Sequence, residues 1–261
     1  QLSTQVTIMT TTHIIPSAPS TQIIESTLKS LVKNIPGYRW MRHVIFLDSD
    51  PNSPDYVKYP EYINNLNKLR RETYPNIQII NRPLSGLKQN YLWGVQLIHT
   101  PYLFFIEHDW VFTEPVKFIQ MVDVMNKYAG KDGKNGKDGK NKKIVNYIKF
   151  YFRDDRQKGG WDRIIKPEND IKELKLMKTD SWANHPHLVR RRKWVKEWIY
   201  LVHPEKYVAK SHGLEEVLFI HYQADIVRFG FEKAHNKWGV YNYGTLNGKS
   251  ILQHIDGSEN Y

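Results

Sequence analysis

Residues 101–110, with the sequence Pro-Tyr-Leu-Phe-Phe-Ile-Glu-His-Asp-Trp, decide the fold of this chain. The five apolar residues 102–106 predict a strand that is buried on both faces, as is typical of parallel sheets. Side chains alternate along a strand, so Glu107 and Asp109 are expected to project to the same side. Two carboxylates at the carboxyl end of a central strand predict a site for a hard cation that bridges a phosphate. The alternative is a polar strand end with two solvated acids.

The chain upstream of this stretch alternates predicted strands with predicted helices. Apolar runs predict strands over residues 5–10, 43–47 and 77–80. Between them, apolar residues at helical spacing predict a helix that follows Ser20 or Thr21, and further helices over residues 59–74 and 84–98. Strands that alternate with helices predict parallel pairing through right-handed crossovers, and therefore an α/β fold.

The second half of the chain is less regular. Helices are predicted over residues 114–129, 190–200 and 214–229, and strands over residues 144–152 and 175–177. Four Gly-Lys-Asp/Asn triplets at residues 130–141 have the period of collagen but no proline, so a solvated, flexible loop at residues 130–143 is predicted instead of a triple helix. No clean domain boundary is visible, which favours one domain over residues 1–261.

Composition limits the classes of function. The 261 residues are 40% hydrophobic, carry a net charge of +11 and include no cysteine. The absence of cysteine excludes disulfides and thiolate metal sites, and with no secretory signal or transmembrane run it favours a cytoplasmic location. The positive charge suits an anionic substrate, a nucleic acid or an acidic membrane surface, and does not choose among them.

Taken together, these features resemble the GT-A fold of nucleotide-sugar glycosyltransferases. A Rossmann-like βαβαβαβ half (residues 1–110) with a central, mainly parallel sheet ends in an acidic triplet, and a mixed C-terminal half (residues 111–261) follows. Residues 87–90 and 102–109 are similar to the helix, strand and metal motif of that family. The family usually has Asp-x-Asp, whereas Glu107 holds the first position here. The resemblance implies that Asp109, with Glu107, binds Mn²⁺ or Mg²⁺.

The resemblance also implies a set of donor-binding residues in the first half. A second acidic triplet begins at Asp48, after the second strand, where the family often contacts the uracil or ribose; the alternative is a simple turn. Nucleotide contact is implied for the loop after the first strand, and diphosphate contact for nearby cations, of which arginine is the better bidentate donor. Solvated surface cations are the alternative. The remaining donor-binding candidates are Thr10, Thr11, Thr12, Arg82, Lys88 and Asn90.

Catalytic and acceptor-binding residues are implied for the second half. Many inverting enzymes of the family begin a helix with an acid pair whose second member is the base, which assigns Glu216 and, less favourably, Glu215; the alternative is that both acids complement the helix dipole. His254 matches a late histidine that closes over the metal. The candidates for sugar stacking and acceptor hydrogen bonds are Trp161, Trp182, Asn184, His185 and His187, with core packing as the alternative for both tryptophans.

The sequence therefore favours a metal-dependent glycosyltransferase that uses a nucleotide-sugar donor, UDP-linked in preference, and inverts the configuration at the transferred sugar. A carbohydrate or glycan is the expected acceptor, and no nucleic-acid partner is expected. The alternatives are a basic nucleic-acid-binding protein, a metal-dependent phosphohydrolase built on the same acids, and a non-catalytic sugar-binding module.

Overall fold

The computed structural model describes residues 2–13, 19–49, 51–52, 54–83, 86–129, 143–150, 171, 174–202, 213–244 and 250–255. The chain divides into two compact units, which are considered one at a time. The first unit comprises Gln1–Val116 and Leu252–Tyr261, and the second comprises Lys117–Ile251. Among the helices of these described ranges, none combines the length and apolar character needed to cross a membrane.

Ten strands occur in the described part of the chain: β1 (Val6–His13), β2 (Arg42–Ser49), β3 (Ile77–Pro83), β4 (Tyr102–Glu107), β5 (Trp110–Phe112), β6 (Tyr147–Phe150), β7 (Met177–Lys178), β8 (His187–Arg190), β9 (Val240–Tyr243) and β10 (Leu252–His254). The α-helices of the same ranges are α1 (Leu2–Gln5), α2 (Gln22–Asn34), α3 (Tyr59–Glu72), α4 (Gly86–Leu97), α5 (Phe118–Lys127), α6 (Arg191–Lys193), α7 (Ile199–Val202), α8 (Leu214–Phe229) and α9 (Phe231–Trp238).

The first unit is built on a parallel sheet in the order β3-β2-β1-β4. All four predicted strands are confirmed, and β1, β2 and β3 each run past their apolar core into polar residues. The helices between consecutive strands are confirmed as well. Because every strand of this sheet runs in the same direction, the polar carboxyl ends of β1–β4 lie along one edge, which we call the carboxyl edge.

Helix α4 packs closely on this sheet. A Cβ atom added at Gly94 would lie only 2.2 Å from Met9 Sδ and 2.9 Å from a ring carbon of Phe46. Any larger residue would therefore displace Met9, Phe46 or the helix itself. The glycine explains how α4, which carries two of the predicted donor-binding residues, comes so close to the sheet.

The second unit contains a mixed sheet in the order β8-β6-β9-β7. Strand β6 is parallel to β9 and antiparallel to β8, while β7 is antiparallel to β9. The predicted helix over residues 190–200 was only partly correct, because β8 occupies residues up to Arg190 and a π-helical turn, Trp194–Trp198, separates α6 from α7. The strands of this mixed sheet have only two to four residues, which is too short for an alternation of apolar and polar residues to be recognised in the sequence.

Aromatic side chains form the core of the second unit. Trp198 stacks on Trp238, which in turn stacks on Tyr222, with centroid separations of 5.4 Å and 5.0 Å. Trp194 meets Trp198 edge to face at 5.6 Å. These rings are at most 2% exposed, so they contribute to the stability of the unit and not to a binding surface.

Candidate active site

The acidic triplet lies in a turn and not along one continuous strand. Strand β4 ends at Glu107, a turn holds His108 and Asp109, and β5 begins at Trp110. The argument from strand alternation, which put Glu107 and Asp109 on the same side, is therefore wrong. Asp109 lies in this turn, directly after β4 and at the carboxyl edge of the sheet.

Asp109 lies against His254, which β10 brings back from the far end of the chain. Asp109 Oδ2 is 3.2 Å from His254 Nε2, and the aspartate is only 5% exposed. The backbone N–H of Ile255 donates to the Asp109 carbonyl at 2.9 Å. The imidazole of His254 also packs on the Trp110 indole, with a centroid separation of 4.7 Å. Two residues predicted separately as metal ligands thus lie side by side.

The donor set around Asp109 is compatible with a divalent cation. Asp109 Oδ1 is buried and has no hydrogen-bond partner in the described part of the structure. A buried carboxylate oxygen without a partner is costly, and a bound cation would satisfy it. Glu107 does not join Asp109 and His254 in a larger cluster: the described residues include no group of three or more His, Cys, Asp or Glu side chains able to hold a metal.

Several predicted donor-binding residues share one face of the carboxyl edge. The parallel register pairs Thr11 with Glu107, and Asp48 with both His13 and Arg82. Register partners in a sheet project to the same face, and Thr11 and His13 are two residues apart on one strand. Glu107, Thr11, Asp48 and Arg82 therefore form a polar row on one side of the sheet.

Helix α4 covers this same face. The Arg82 guanidinium lies over the Trp93 ring at 4.0 Å from its centroid, and Trp93 also meets Phe46, the register partner of Thr11. Cation–π packing holds the guanidinium in place over the indole. Lys88, which is partly exposed, and Asn90, which is fully buried, lie on α4 as well.

Thr10 and Thr12 face the other side of the sheet. Thr10 Oγ1 is 2.8 Å from His43 Nε2, and Thr12 Oγ1 is 3.2 Å from the Tyr62 hydroxyl. Both threonines are at most 2% exposed. Their hydroxyls join β1 to β2 and α3, and their contact with a donor remains a prediction.

His43 provides a test of this buried network. Burial lowers the pKa of His43 from 6.5 to about 3, so the folded protein keeps a neutral imidazole while the unfolded chain takes up a proton below about pH 6.5. The unfolded state then binds more protons, and the free energy of unfolding should fall on acidification by ~1.4 kcal/mol per pH unit from this residue. Urea unfolding between about pH 6 and pH 4.5 measures this slope.

The variant His43→Gln should have a flatter pH dependence than the wild type, even if it is less stable at every pH. His99→Gln is the matched control, because His99 is exposed in the same unit. It should keep the wild-type slope. Identical slopes for His43→Gln and the wild type would contradict a neutral, buried His43.

The predicted catalytic acids open helix α8 in the second unit. Gly213 precedes the helix and provides no side-chain cap, and Glu215 and Glu216 are the acids of its first turn. Both carboxylates are partly exposed. This position is favourable for either predicted role, since acids complement the helix dipole here and remain accessible to a substrate.

The structure supports core packing for Trp182. Its indole is fully buried and packs against the rings of Tyr147, His187 and Trp198, so neither ring face is open for a sugar. His187 is fully buried as well; burial lowers its pKa to about 3, and its Nδ1–H donates to the His185 carbonyl at 2.7 Å. The prediction of acceptor stacking by Trp182 was wrong because composition does not reveal which tryptophans are enclosed.

The other acceptor candidates differ in accessibility. His185 is partly exposed and Asn184 is 8% exposed. Trp161 and the Gly-Lys triplets at residues 130–141 lie outside the described residues. The predictions for these residues therefore remain predictions.

Two buried polar residues of the second unit were not predicted. Lys149 on β6 is in register with both His187 and Asn242, so the three side chains share one face of the mixed sheet. Lys149 and Asn242 are fully buried, and Lys149 Nζ donates to Ser181 Oγ at 3.2 Å. A lysine within the otherwise apolar β6 was the signal that could have revealed this row.

Comparison of three-dimensional structures finds the same fold in solved glycosyltransferases. GalNAc-T7, solved with UDP, GalNAc and Mn²⁺, matches with a TM-score of 0.58 and 12% identity, over 96% of this chain and 44% of that chain. Residues 1–349 of S. aureus TarS match with a TM-score of 0.54 and 10% identity, over 96% of this chain and 60% of that chain. The chain thus spans less than two thirds of either protein.

At the level of sequence, no family model and no curated protein matches this chain. The likeness is one of architecture: a mixed α/β chain with a mostly parallel sheet that matches GT-A glycosyltransferases. The GT-A-like fold predicted from the sequence is therefore confirmed. Proteins that share this fold can differ in function, which depends on the side chains of the site.

Proposed function

We propose that this protein is a glycosyltransferase that moves a sugar from a nucleotide-sugar donor, UDP-linked in preference, to a carbohydrate acceptor with inversion of configuration. The observation that carries the proposal is the contact between Asp109 Oδ2 and His254 Nε2 at the carboxyl edge. Open α/β sheets bind their ligands at this edge. The GT-A fold adds support, since GalNAc-T7, which shares it, was solved with UDP, GalNAc and Mn²⁺.

The proposed cofactor is Mn²⁺ or Mg²⁺, held by Asp109 and His254, with Glu107 as a further candidate. Such cations commonly take one or two protein ligands and complete their coordination with substrate phosphates and water. The buried Oδ1 of Asp109, which has no hydrogen bond among the described residues, is the atom expected to gain most from the cation. When bound, the cation would neutralise charge on the departing diphosphate.

The polar row of the carboxyl edge is the proposed binding site for the donor. Arg82, held on the Trp93 ring, has the planar donor group that suits a diphosphate, and Lys88 on α4 adds positive charge. Asp48, beside Arg82 in the register, is the proposed contact for the uracil or ribose. Thr10, Thr11, Thr12 and Asn90 complete the proposed donor contacts.

Glu216 is the proposed general base. A carboxylate in this role removes the proton of the acceptor hydroxyl as that oxygen attacks the anomeric carbon. It lies in the first turn of α8 and is partly exposed, so an acceptor hydroxyl can reach it. Glu215 is the second candidate, and Trp161, Asn184 and His185 remain proposed acceptor contacts.

A thermal-shift screen of nucleotide sugars, each with and without Mn²⁺, tests the proposal. A ligand that binds only the folded state at about 100 times its Kd should raise the free energy of unfolding by ~2.7 kcal/mol. We expect a UDP-sugar to raise Tm in the presence of Mn²⁺ and to show a weaker effect without it. Incubation of that donor with carbohydrate acceptors should then yield a glycosylated product.

Two results would contradict the proposal. If no nucleotide sugar changes Tm but single-stranded nucleic acid does so in a salt-dependent manner, the +11 charge serves nucleic-acid binding. If nucleotide sugars bind and are hydrolysed but no acceptor is ever glycosylated, the site is that of a phosphohydrolase. Hydrolysis by itself decides nothing, because transferases also hydrolyse their donors slowly.

A further inference from the structure

Helix α2 places three polar side chains on its buried side. Thr27, Ser30 and Asn34 are 0%, 8% and 1% exposed, and their spacing of three and four residues puts them on the helix face that also carries Leu28 and Leu31. Buried hydroxyl and amide groups destabilise a protein unless they form hydrogen bonds. The contacts of these three side chains therefore indicate what this face of α2 does.

All three bond to the main chain of the segment that follows β4. Thr27 Oγ1 donates to the His108 carbonyl at 2.6 Å, and Asn34 Nδ2 donates to the Phe112 carbonyl at 2.6 Å. The N–H of Phe112 donates to Ser30 Oγ at 3.1 Å. Helix α2 thus holds the turn and strand β5 at both of their ends, through side chains that bond to backbone atoms and not to other side chains.

The bond from Thr27 is made at the centre of the acidic triplet. The His108 carbonyl belongs to the peptide unit that leads directly into Asp109, and the next carbonyl, that of Asp109, accepts the N–H of Ile255. Two successive carbonyls are therefore anchored, one by α2 and one by the segment that carries His254. Because both neighbouring peptide planes are fixed, the direction of the Asp109 side chain from the backbone is fixed as well.

We propose that Thr27 is a positioning residue for the metal pair Asp109–His254. Its hydroxyl holds the peptide before Asp109 in the orientation that directs the carboxylate toward His254 Nε2. This inference rests on the proposed function, because it assumes that the pair binds a divalent cation. Groups that orient metal ligands from behind commonly change metal affinity by about 10- to 100-fold when removed.

The test compares variants that keep or remove the hydroxyl. Thr27→Val has nearly the same shape but lacks the donor, whereas Thr27→Ser retains it. Ser26→Ala is the matched control: Ser26 is on the same helix, and its hydroxyl donates to the Gln22 carbonyl at 2.9 Å on the exposed side. The Kd for Mn²⁺, with and without UDP, is measured from the EPR signal of free Mn²⁺, and Tm is measured on the metal-free proteins.

We expect Thr27→Val to weaken Mn²⁺ binding by about 10-fold or more, and Thr27→Ser and Ser26→Ala to remain within about twofold of the wild type. A Thr27→Val protein with a lower Tm and unchanged Mn²⁺ affinity would overturn the inference and reduce Thr27 to a structural role. If Thr27→Val does not fold, Thr27→Cys, whose thiol is a weak donor, should bind Mn²⁺ measurably less tightly than the wild type. Wild-type affinity in that variant would equally overturn the inference.

Failure of the proposed function gives a different result. If the wild type binds no Mn²⁺ in the presence of UDP, the metal site itself is absent, and both the proposed cofactor and the role of Thr27 are overturned. If the wild type binds Mn²⁺ and only the Thr27 variants fail to differ from it, the metal site stands and the positioning role alone is overturned.

Discussion

Replacement of Asp109 by Ala is expected to abolish Mn²⁺-dependent binding of the nucleotide-sugar donor while the protein still folds. Asp109 Oδ2 lies 3.2 Å from His254 Nε2, and Asp109 Oδ1 is buried with no hydrogen-bond partner in the described part of the chain. Loss of a metal ligand should exceed the 10- to 100-fold effect that is typical of residues behind the ligands. The measurements are the Kd for Mn²⁺ by EPR and the Mn²⁺-dependent change in Tm with donor.

Two further variants make this result specific. Asp109→Asn keeps the size of the side chain but removes its charge, so it should also bind Mn²⁺ weakly. Glu114→Ala removes an exposed acid a few residues along the same segment and should behave as the wild type. Unchanged donor affinity and metal dependence in Asp109→Ala would contradict the assignment of Asp109 as a ligand.

Replacement of Glu216 by Gln is expected to lower the rate of sugar transfer by ~10²–10⁴-fold, the usual cost of losing a general base. Glutamine retains the size of the side chain and most of its hydrogen bonding but does not accept the proton. Donor binding should persist, because the base acts on the acceptor hydroxyl and not on the diphosphate. The measurements are kcat for transfer and the Kd of the donor.

The control for this variant is Asp123→Asn, which removes an exposed carboxylate from α5 in the same unit. It should transfer sugar at the wild-type rate. Glu215→Gln is tested in parallel to decide which acid of the pair is the base. Near-normal turnover in Glu216→Gln would return Glu216 to its helix-dipole role, and a product that keeps the donor's anomeric configuration would remove the need for a base at this position.

The strands and helices of the first unit could be predicted because their signals are local. Apolar runs such as residues 102–106 are followed by polar residues within the same strand, and α2 repeats its apolar residues with the period of a helix. The role of Gly94 could not be predicted in this way. In the sequence, a glycine within a helical pattern indicates only a less stable helix. The contacts with Met9 and Phe46 in the structure show that the glycine lets the helix approach the sheet closely.

The second unit was harder to predict because its strands are short and its aromatic residues are ambiguous. Neither β8 nor β9 was predicted, and the helix predicted over residues 190–200 began at the last residue of β8. The residues next to Trp182 in the sequence are typical of a sugar-binding surface, yet other aromatic rings enclose the Trp182 indole in the structure. Whether an aromatic residue forms part of the core or of a binding site depends on what packs over it, and a single sequence does not contain that information.

The amino-acid sequence by itself determined the alternation of strands and helices, the parallel pairing within the first sheet and the position of Asp109 at its carboxyl edge. Local hydrophobic periodicity and polar residues at strand ends were enough for these features. Only the tertiary structure decided that β10 pairs with β5, so that His254 contacts Asp109, and that Thr27 donates to the His108 carbonyl of the peptide that leads into Asp109. These contacts join segments far apart in the chain, and their geometry arises from packing and hydrogen bonds that no local pattern encodes.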